Sequence, residues 1–205
     1  MPTSISILGS GGHARVVIEA LRSNNKPMDI YIMDENKPSQ CLLLGCYSIN
    51  LLIDWSRLEK NFHVAVGSNE VRCRMSKSAI SVGKKPISVI HDSALISESA
   101  LILDGSFVAA NVVIASEAQV KSGCIVNHSA VIDHDCFIGE YSHIAPNATL
   151  GGSVRVGQQC LIGAGAVVLP NISIGDYVIV GAGSVVTKNI PSGKICVGNP
   201  AKVSC

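Results

Sequence analysis

Charge is scarce in this chain of 205 residues: Asp, Glu, Lys and Arg together make up 15%, and the formal net charge is +1 at pH 7. The basic stripe of a nucleic-acid binder is therefore missing. So is any run of about 18 apolar residues, and no transmembrane helix is expected. The opening "MPTSISILGSGGHARVV" has no positive segment ahead of a long apolar one, so no signal peptide is read. None of the eight cysteines (41, 46, 73, 124, 136, 160, 196 and 205) forms C-x-x-C, which leaves a zinc ribbon or redox pair unsupported. Free thiols and a cytoplasmic location are expected. What is plentiful is apolar: 47% hydrophobic residues supply a substantial core and argue against disorder.

Residues 1–86 alternate strand and helix signals. "SISIL" (4–8) reads as a strand and runs into "GSGGH". A helix follows with Ala14, Val17, Ile18 and Leu21 on one face. "DIYIM" (29–33) is a second strand ending at Asp34, Glu35 and Asn36. "HVAV" (63–66) is a third, stopping at Gly67. The next helix places Val71, Met75, Ala79 and Val82 on one face, and "ISVI" (87–90) closes the half. This predicts a small, Rossmann-like α/β unit with a parallel sheet.

From Ile90 onward a strict period of six takes over. Every sixth residue from Ile90 to Val186 is Ile, Val or Leu, without a slip. The position two before each is small or β-branched from Ala94 to Ser184, and includes Cys124, Cys136 and Cys160. Glycine follows the aliphatic at 139, 151, 157, 163, 175 and 181, and is expected to supply the turn's backbone angles. Six fits neither a helix nor a flat sheet. It fits a solenoid of short strands whose aliphatic and small side chains stack inward. The three cysteines are then core residues.

This pattern resembles the hexapeptide-repeat acyltransferases, whose coils wind a left-handed parallel β-helix; residues 87–205 would form it, with roughly five coils. The tail "ICVGNPAKV" (195–203) is similar to the segment that follows their coil. The motifs "ILGSGGHARVVIEAL", "MDEN", "VAVGSNEVR" and "NHSAVIDHDCFIGEYSHIAP", in that order, narrow the likeness to sugar acetyltransferases of the PglD/NeuD/PerB kind. The resemblance implies acetyl-CoA as co-substrate, no metal, and a homotrimer. The acceptor would be the 4-amino group of a UDP- or GDP-linked amino sugar used in bacterial surface glycans. O-acetylation of sialic acid-like sugars, as in the NeuD type, is the alternative.

Acetyl transfer to an amine needs a base near neutral pKa. The motif match assigns that role to His134, with Asp135 as its acidic neighbour, in a place where the family more often has Glu. His143 matches a residue that contacts acetyl-CoA near the thioester. In the six-residue frame His128 and His134 point outward on different faces, while His143 falls near a corner; His128 matches no role. Asn127 either contacts the sugar or serves a turn. Gly152, Ala164 and Ala182 line the pantetheine groove or simply suit the coil, and Lys202 is a weaker candidate for a CoA phosphate. "GSGGHA" opens a helix whose first N–H groups suit an anion. With it, Gly11, Gly12, His13, Asp34, Glu35 and Gly67 form the expected nucleotide-sugar site, although His13 and Asp34 also suit capping roles. Two other readings are a zinc enzyme on the same solenoid, disfavoured by histidine gaps of 6 and 9, and a non-catalytic regulator of sugar synthesis.

Overall fold

The computed structural model describes residues 4–24, 27–34, 42–44, 47–50, 55 and 58–204. Its first part is a six-stranded sheet in the order β3-β4-β2-β1-β5-β6. These strands are Ser4–Leu8 (β1), Asp29–Met33 (β2), Leu42–Leu43 (β3), Tyr47–Asn50 (β4), Asn61–Val64 (β5) and Lys85–Pro86 (β6). Neighbours run parallel except β3 with β4. Helix α1 (Gly12–Ser23) follows β1 and buries Ala14, Val17, Ile18 and Ala20, with Leu21 packed beside them.

Three local expectations shift. The third strand begins two residues early and ends at Val64, so Ala65 and Val66 are freed to form a loop. Helix α2 (Asn69–Ser81) buries only part of the predicted apolar face: Ala79 is fully buried with Met75 packed beside it, Val82 is 49% exposed at the helix end, and Arg72, Cys73 and Ser76 are buried as well. Ala79 and Met75 pack on Leu8 and Phe62 of the sheet, while Asn69 and Arg72 are turned toward backbone carbonyls of the solenoid. "ISVI" does not pair with this sheet as a whole. Its last two residues form β7 (Val89–Ile90), which pairs with β10 (Phe107–Val108) of the solenoid.

Seventeen two-residue strands, from β7 to β23 (Val185–Val186), build that solenoid, a left-handed β-helix. They stack as three parallel sheets, each strand pairing with the one 18 residues on. In one sheet β10, β13 (Ile125–Val126) and β16 (His143–Ile144) lie side by side. In the second lies β14 (Val131–Ile132), and in the third β15 (Phe137–Ile138). The chain completes five coils and a sixth is closed by a bridge from Ile174 to Ile190. β24 (Ile195–Val197) and β25 (Lys202–Val203) cap the first sheet.

The inward aliphatics are buried from Val108 to Val186, and partly buried at Ile90, Ile96 and Ile102 in the first coil. The small inward slot explains its polar occupants. Cys124, Cys136 and Cys160 donate S–H to the carbonyls of Gly139, Gly151 and Gly175 at 3.1, 3.2 and 3.0 Å. Ser106 and Ser142 do the same to Lys121 and Gly157. Burial pushes the three thiols up, to about 12, 11 and 11, so none is a thiolate nucleophile.

The turn chemistry differs from the sequence expectation. The left-handed residue lies three places after the inward aliphatic, not one. It recurs every six residues from Gly105 to Gly183, and only four of those fourteen are glycine; the rest include Asn111, Ser129, Asp135, Tyr141 and Asn147. The glycines directly after the aliphatic answer a packing demand instead: a Cβ at Gly163 would sit 2.5 Å from the Ala182 nitrogen one coil on.

Candidate active site

His134 lies in the turn between β14 and β15. Its Nδ1 is 2.8 Å from Asp135 Oδ2, and its own N–H donates to Asp133 Oδ1 at 2.8 Å. Asp135 sits at the left-handed turn position, φ 59°, a conformation Asp tolerates better than most residues. That backbone turn folds the carboxylate back onto the preceding imidazole. In the neutral ring Nδ1–H donates to Asp135 and Nε2 keeps the lone pair. The Asp135 hydrogen bond, then the Asp133 charge, hold the His134 pKa above the usual value of 6.5. Gly152 is buried one coil above: a Cβ there would lie 2.5 Å from both Cε1 and Nε2 of His134. The residue expected to line the pantetheine groove is thus the floor under the imidazole.

His143 has the opposite environment. It opens strand β16 rather than sitting at a corner, because it immediately precedes the inward Ile144 and takes the outward position. The Asn127 amide lies 3.2 Å from its Nε2, and Asn127 Oδ1 accepts from the His128 N–H, which fixes the amide orientation. Nε2 therefore accepts, and the ring proton is on Nδ1. Burial, then the Arg72 charge, lowers the His143 pKa to about 4, so it is a neutral donor at physiological pH. Asn127 and His143, read separately in the sequence, form one pair.

A third group lies where β1 meets α1. Gly9 (φ 105°) turns the chain there; a Cβ would press to 2.9 Å on Val66. The N-cap Gly11 supplies no side-chain hydrogen bond, so the first amides of α1 face a cleft of about 460 Å³. Gly11, Gly12, His13, Asp34 and Gly67 all line it, with Trp55, Arg74 and Met75. Asp34 accepts from both the N–H and the hydroxyl of Ser10, at 2.8 and 2.6 Å, and so braces the glycine loop. Glu35 lies outside the described residues. His13 meets the Phe107 ring edge-on at 5.0 Å and keeps an unpartnered, buried Nε2. Burial first, then nearby His63, His143, Arg72 and His128, lowers its pKa to about 3.

The three histidines of the 127–152 stretch stay apart in one chain. His128 shares a corner with Ala164 and Ala182, which are exposed and stacked one coil apart through the Gly183 N–H to Ala164 carbonyl bond. His143 is on the sheet that faces the α/β unit, and His134 is on the corner opposite that sheet. Lys202 is exposed on β25. Among the described residues no cluster of three His, Cys, Asp or Glu has the arrangement of a metal site, and no helix is long and apolar enough to cross a membrane. Sequence reasoning missed His63 and Arg72. His63 is fully buried in β5 with Nδ1 2.9 Å from the Ile87 carbonyl. Arg72 is 1% exposed, and pairing it with Ser76 and Ala79 at helical spacing was the available signal.

Two family descriptions match the chain: the PglD N-terminal domain over residues 4–79, and the bacterial transferase hexapeptide, six repeats, over residues 153–188. GDP-perosamine N-acetyltransferase of Escherichia coli O157:H7 is 33% identical over 168 residues, 79% of this chain and 76% of that protein. The acetyltransferase domain of PglB from Neisseria gonorrhoeae FA1090, in complex with acetyl coenzyme A, superposes with a TM-score of 0.94 at 33% identity, covering 100% of both chains. PerB from Caulobacter crescentus, in complex with CoA and GDP-perosamine, gives 0.89 at 34% identity over 98% and 97%. The coil and its repeats define an acyltransferase of the hexapeptide-repeat class. Within that class the chain belongs to the PglD/PerB-like sugar acetyltransferases.

Proposed function

We propose that this acetyltransferase moves an acetyl group from acetyl-CoA to the 4-amino group of a UDP- or GDP-linked amino sugar, in the cytoplasm, with His134 as general base. The His134–Asp135 pair carries the reading: a held imidazole with its Nε2 lone pair free and a pKa above the usual value suits an amine proton. The relatives that bind CoA and GDP-perosamine support the choice of substrates. Residues 1–86 serve as the nucleotide-sugar unit and 87–205 as the acetyl-transferring coil. The cleft at Gly11, Gly12 and Gly67 takes the nucleotide, with the diphosphate at the α1 amides; Glu35 is retained as a ligand from its motif alone. Ala164, Ala182 and Lys202 mark the CoA groove.

In this scheme the neutral amine attacks the thioester carbonyl carbon. The new C–N bond forms as the carbonyl becomes an oxyanion, and the Nδ1–H of His143 is the donor on the thioester side. Nε2 of His134 takes the amine proton, the C–S bond breaks, and the proton passes to the departing CoA sulfur. Asp135 stabilises the imidazolium in between. Because His134 lies opposite the sheet that carries His143, one chain does not complete this site. A second copy supplies His134, and three copies closing around an axis satisfy every site equally. The outward row Leu95, Val113, Val131, Thr149, Val167 and Val185 on one coil face, aliphatic except at Thr149, offers a largely apolar surface for that closure.

A panel of UDP- and GDP-linked 4-amino sugars with acetyl-CoA, read by product mass, tests the reading. Acetylation of at least one amine, lost in His134→Ala, is expected. Inert amino sugars alongside an O-acetylated sialic acid-like sugar would overturn it.

A further inference from the structure

Arg72 is a buried cation that no step above uses. It is almost fully enclosed, and no carboxylate is among its hydrogen-bond partners. Instead all five guanidinium N–H groups meet neutral oxygens. Nε donates to the Gly123 carbonyl at 2.7 Å. Nη1 donates to the Val66 and Gly67 carbonyls, each at 3.1 Å. Nη2 donates to Asn69 Oδ1 and the Tyr141 carbonyl, each at 2.8 Å. Burying a charge is costly unless such contacts are complete. This arrangement is complete, and only the planar fork of arginine has donors enough for it.

The acceptors belong to two different parts of the site. Val66 and Gly67 form a wall of the nucleotide cleft. Gly123 and Tyr141 are turn residues, each two places before the first residue of a strand, Ile125 and His143 respectively. Tyr141 holds a left-handed backbone, φ 56°, which is costly for a bulky side chain, with its ring against Gly123. Asn69 adds a second tie: its Nδ2 donates to the Cys160 carbonyl at 2.9 Å, the same oxygen that accepts the His143 N–H.

We infer that Arg72 is a positioning residue that fixes the register between the nucleotide cleft and the coil turn leading into His143. The inference rests on the reading of that cleft and His143 as two parts of one site. A sugar held by its nucleotide must present its amine to a thioester held elsewhere. An error of about 1 Å in that register costs on the order of 10²-fold in rate while leaving each half able to bind. The cation also adds to burial in keeping His13, His63 and His143 neutral, which preserves His143 as a donor.

The test compares wild type with Arg72→Lys, Arg72→Met and the milder Asn69→Ala, in the full chain. Three measurements are made: backbone amide exchange, CoA affinity by calorimetry, and kcat on whichever amino sugar the panel identifies. In Arg72→Lys, amides of residues 65–69 should exchange at least about tenfold faster, with the coil strands protected as before. CoA affinity should stay within about threefold, and kcat should fall about 10²-fold. Asn69→Ala should show the same pattern at about a tenth of that loss, and it decides the matter if the Arg72 variants do not fold. Arg72→Lys with wild-type exchange and kcat would overturn the inference. So would a variant whose only defect is a lower Tm, with full kcat at reduced temperature. If no sugar in the panel is acetylated, the proposed function fails, yet the exchange pattern and CoA affinity still judge Arg72.

Discussion

Gly152→Ala isolates the placement of the proposed base, His134, from its chemistry. The added methyl would start 2.5 Å from Cε1 and Nε2 of His134, against an ordinary carbon contact of about 3.5 Å. The imidazole must retreat by about 1 Å or swing away from Asp135. Backbone strain plays no part, since Gly152 is not among the residues with positive φ. The His134 side chain is 58% exposed, so its movement opens no core cavity. Stability should therefore hold, or rise by about 0.4–1 kcal/mol through a less flexible unfolded chain. A 1 Å displacement of a catalytic group costs on the order of 10²-fold, or about 2.7 kcal/mol in activation free energy. Steady-state kinetics and thermal unfolding on the same preparation read both quantities. A fall in kcat with unchanged Tm and unchanged KM for acetyl-CoA is expected. Wild-type kcat with a raised KM for acetyl-CoA would refute the reasoning and return Gly152 to the pantetheine groove.

Three other outcomes follow from the same geometry. Asp135→Asn removes the first cause of the raised His134 pKa, so the acid limb of the kcat/KM profile should move to lower pH and the plateau should drop by about 10²-fold; an unmoved limb would exclude His134 as the titrating base. His63 has a folded pKa lowered to about 4 by burial, against 6.5 unfolded. The unfolded chain then binds its proton first, and stability present above pH 6.5 is lost as pH falls toward 4, by about 3 kcal/mol. Denaturant unfolding at pH 7 and pH 4.5 should show a smaller loss for His63→Gln than for wild type, and equal losses would contradict this. Ile144→Ala deletes a fully buried side chain stacked between Val126 and Ile162 and should cost about 2–5 kcal/mol in unfolding free energy; a cost under about 1 kcal/mol would mean the coil collapses around the gap.

The β-helix was legible because its inward positions repeat in sequence as they stack in space. Val126, Ile144 and Ile162 stand 18 residues apart and pair in register, so a rule of six applied three times brings each onto the next. The turn was misread for a related reason. Glycine draws attention to itself, but the left-handed place is filled mostly by Asn, Ser, Asp and other side chains, and Asp135 stands there. That placement is what aims its carboxylate at His134, so the turn position and the proposed catalytic pair are one feature. In α2 hydrophobic spacing picks out Val71, Met75, Ala79 and Val82; Ala79 is fully buried and Met75 packs beside it, but Arg72, Cys73 and Ser76 are buried without that signal. Amphipathic patterning assumes an apolar partner surface. Part of the partner surface here is the turn carbonyls of Gly123 and Tyr141, and an arginine aimed at them widens the buried face beyond the apolar stripe.

The separation of the histidines has a consequence for how one scaffold runs acid-base chemistry at neutral pH. His134 is exposed, faces two carboxylates, and titrates above the usual value. His143 is half-buried, faces an amide and lies near the Arg72 charge, and titrates at about 4. Had both stood on one corner, either they would share the carboxylates and both hold protons, or they would share the burial and neither would serve as base. The coil prevents this by sending these two residues to an opposite corner and a sheet face. On the proposed assembly, a neighbouring copy then reunites the two roles across a subunit boundary, each ring keeping the hydrogen-bond partner that its own chain supplies. The base arrives ready to accept a proton and the donor arrives ready to give a hydrogen bond, before either meets a substrate.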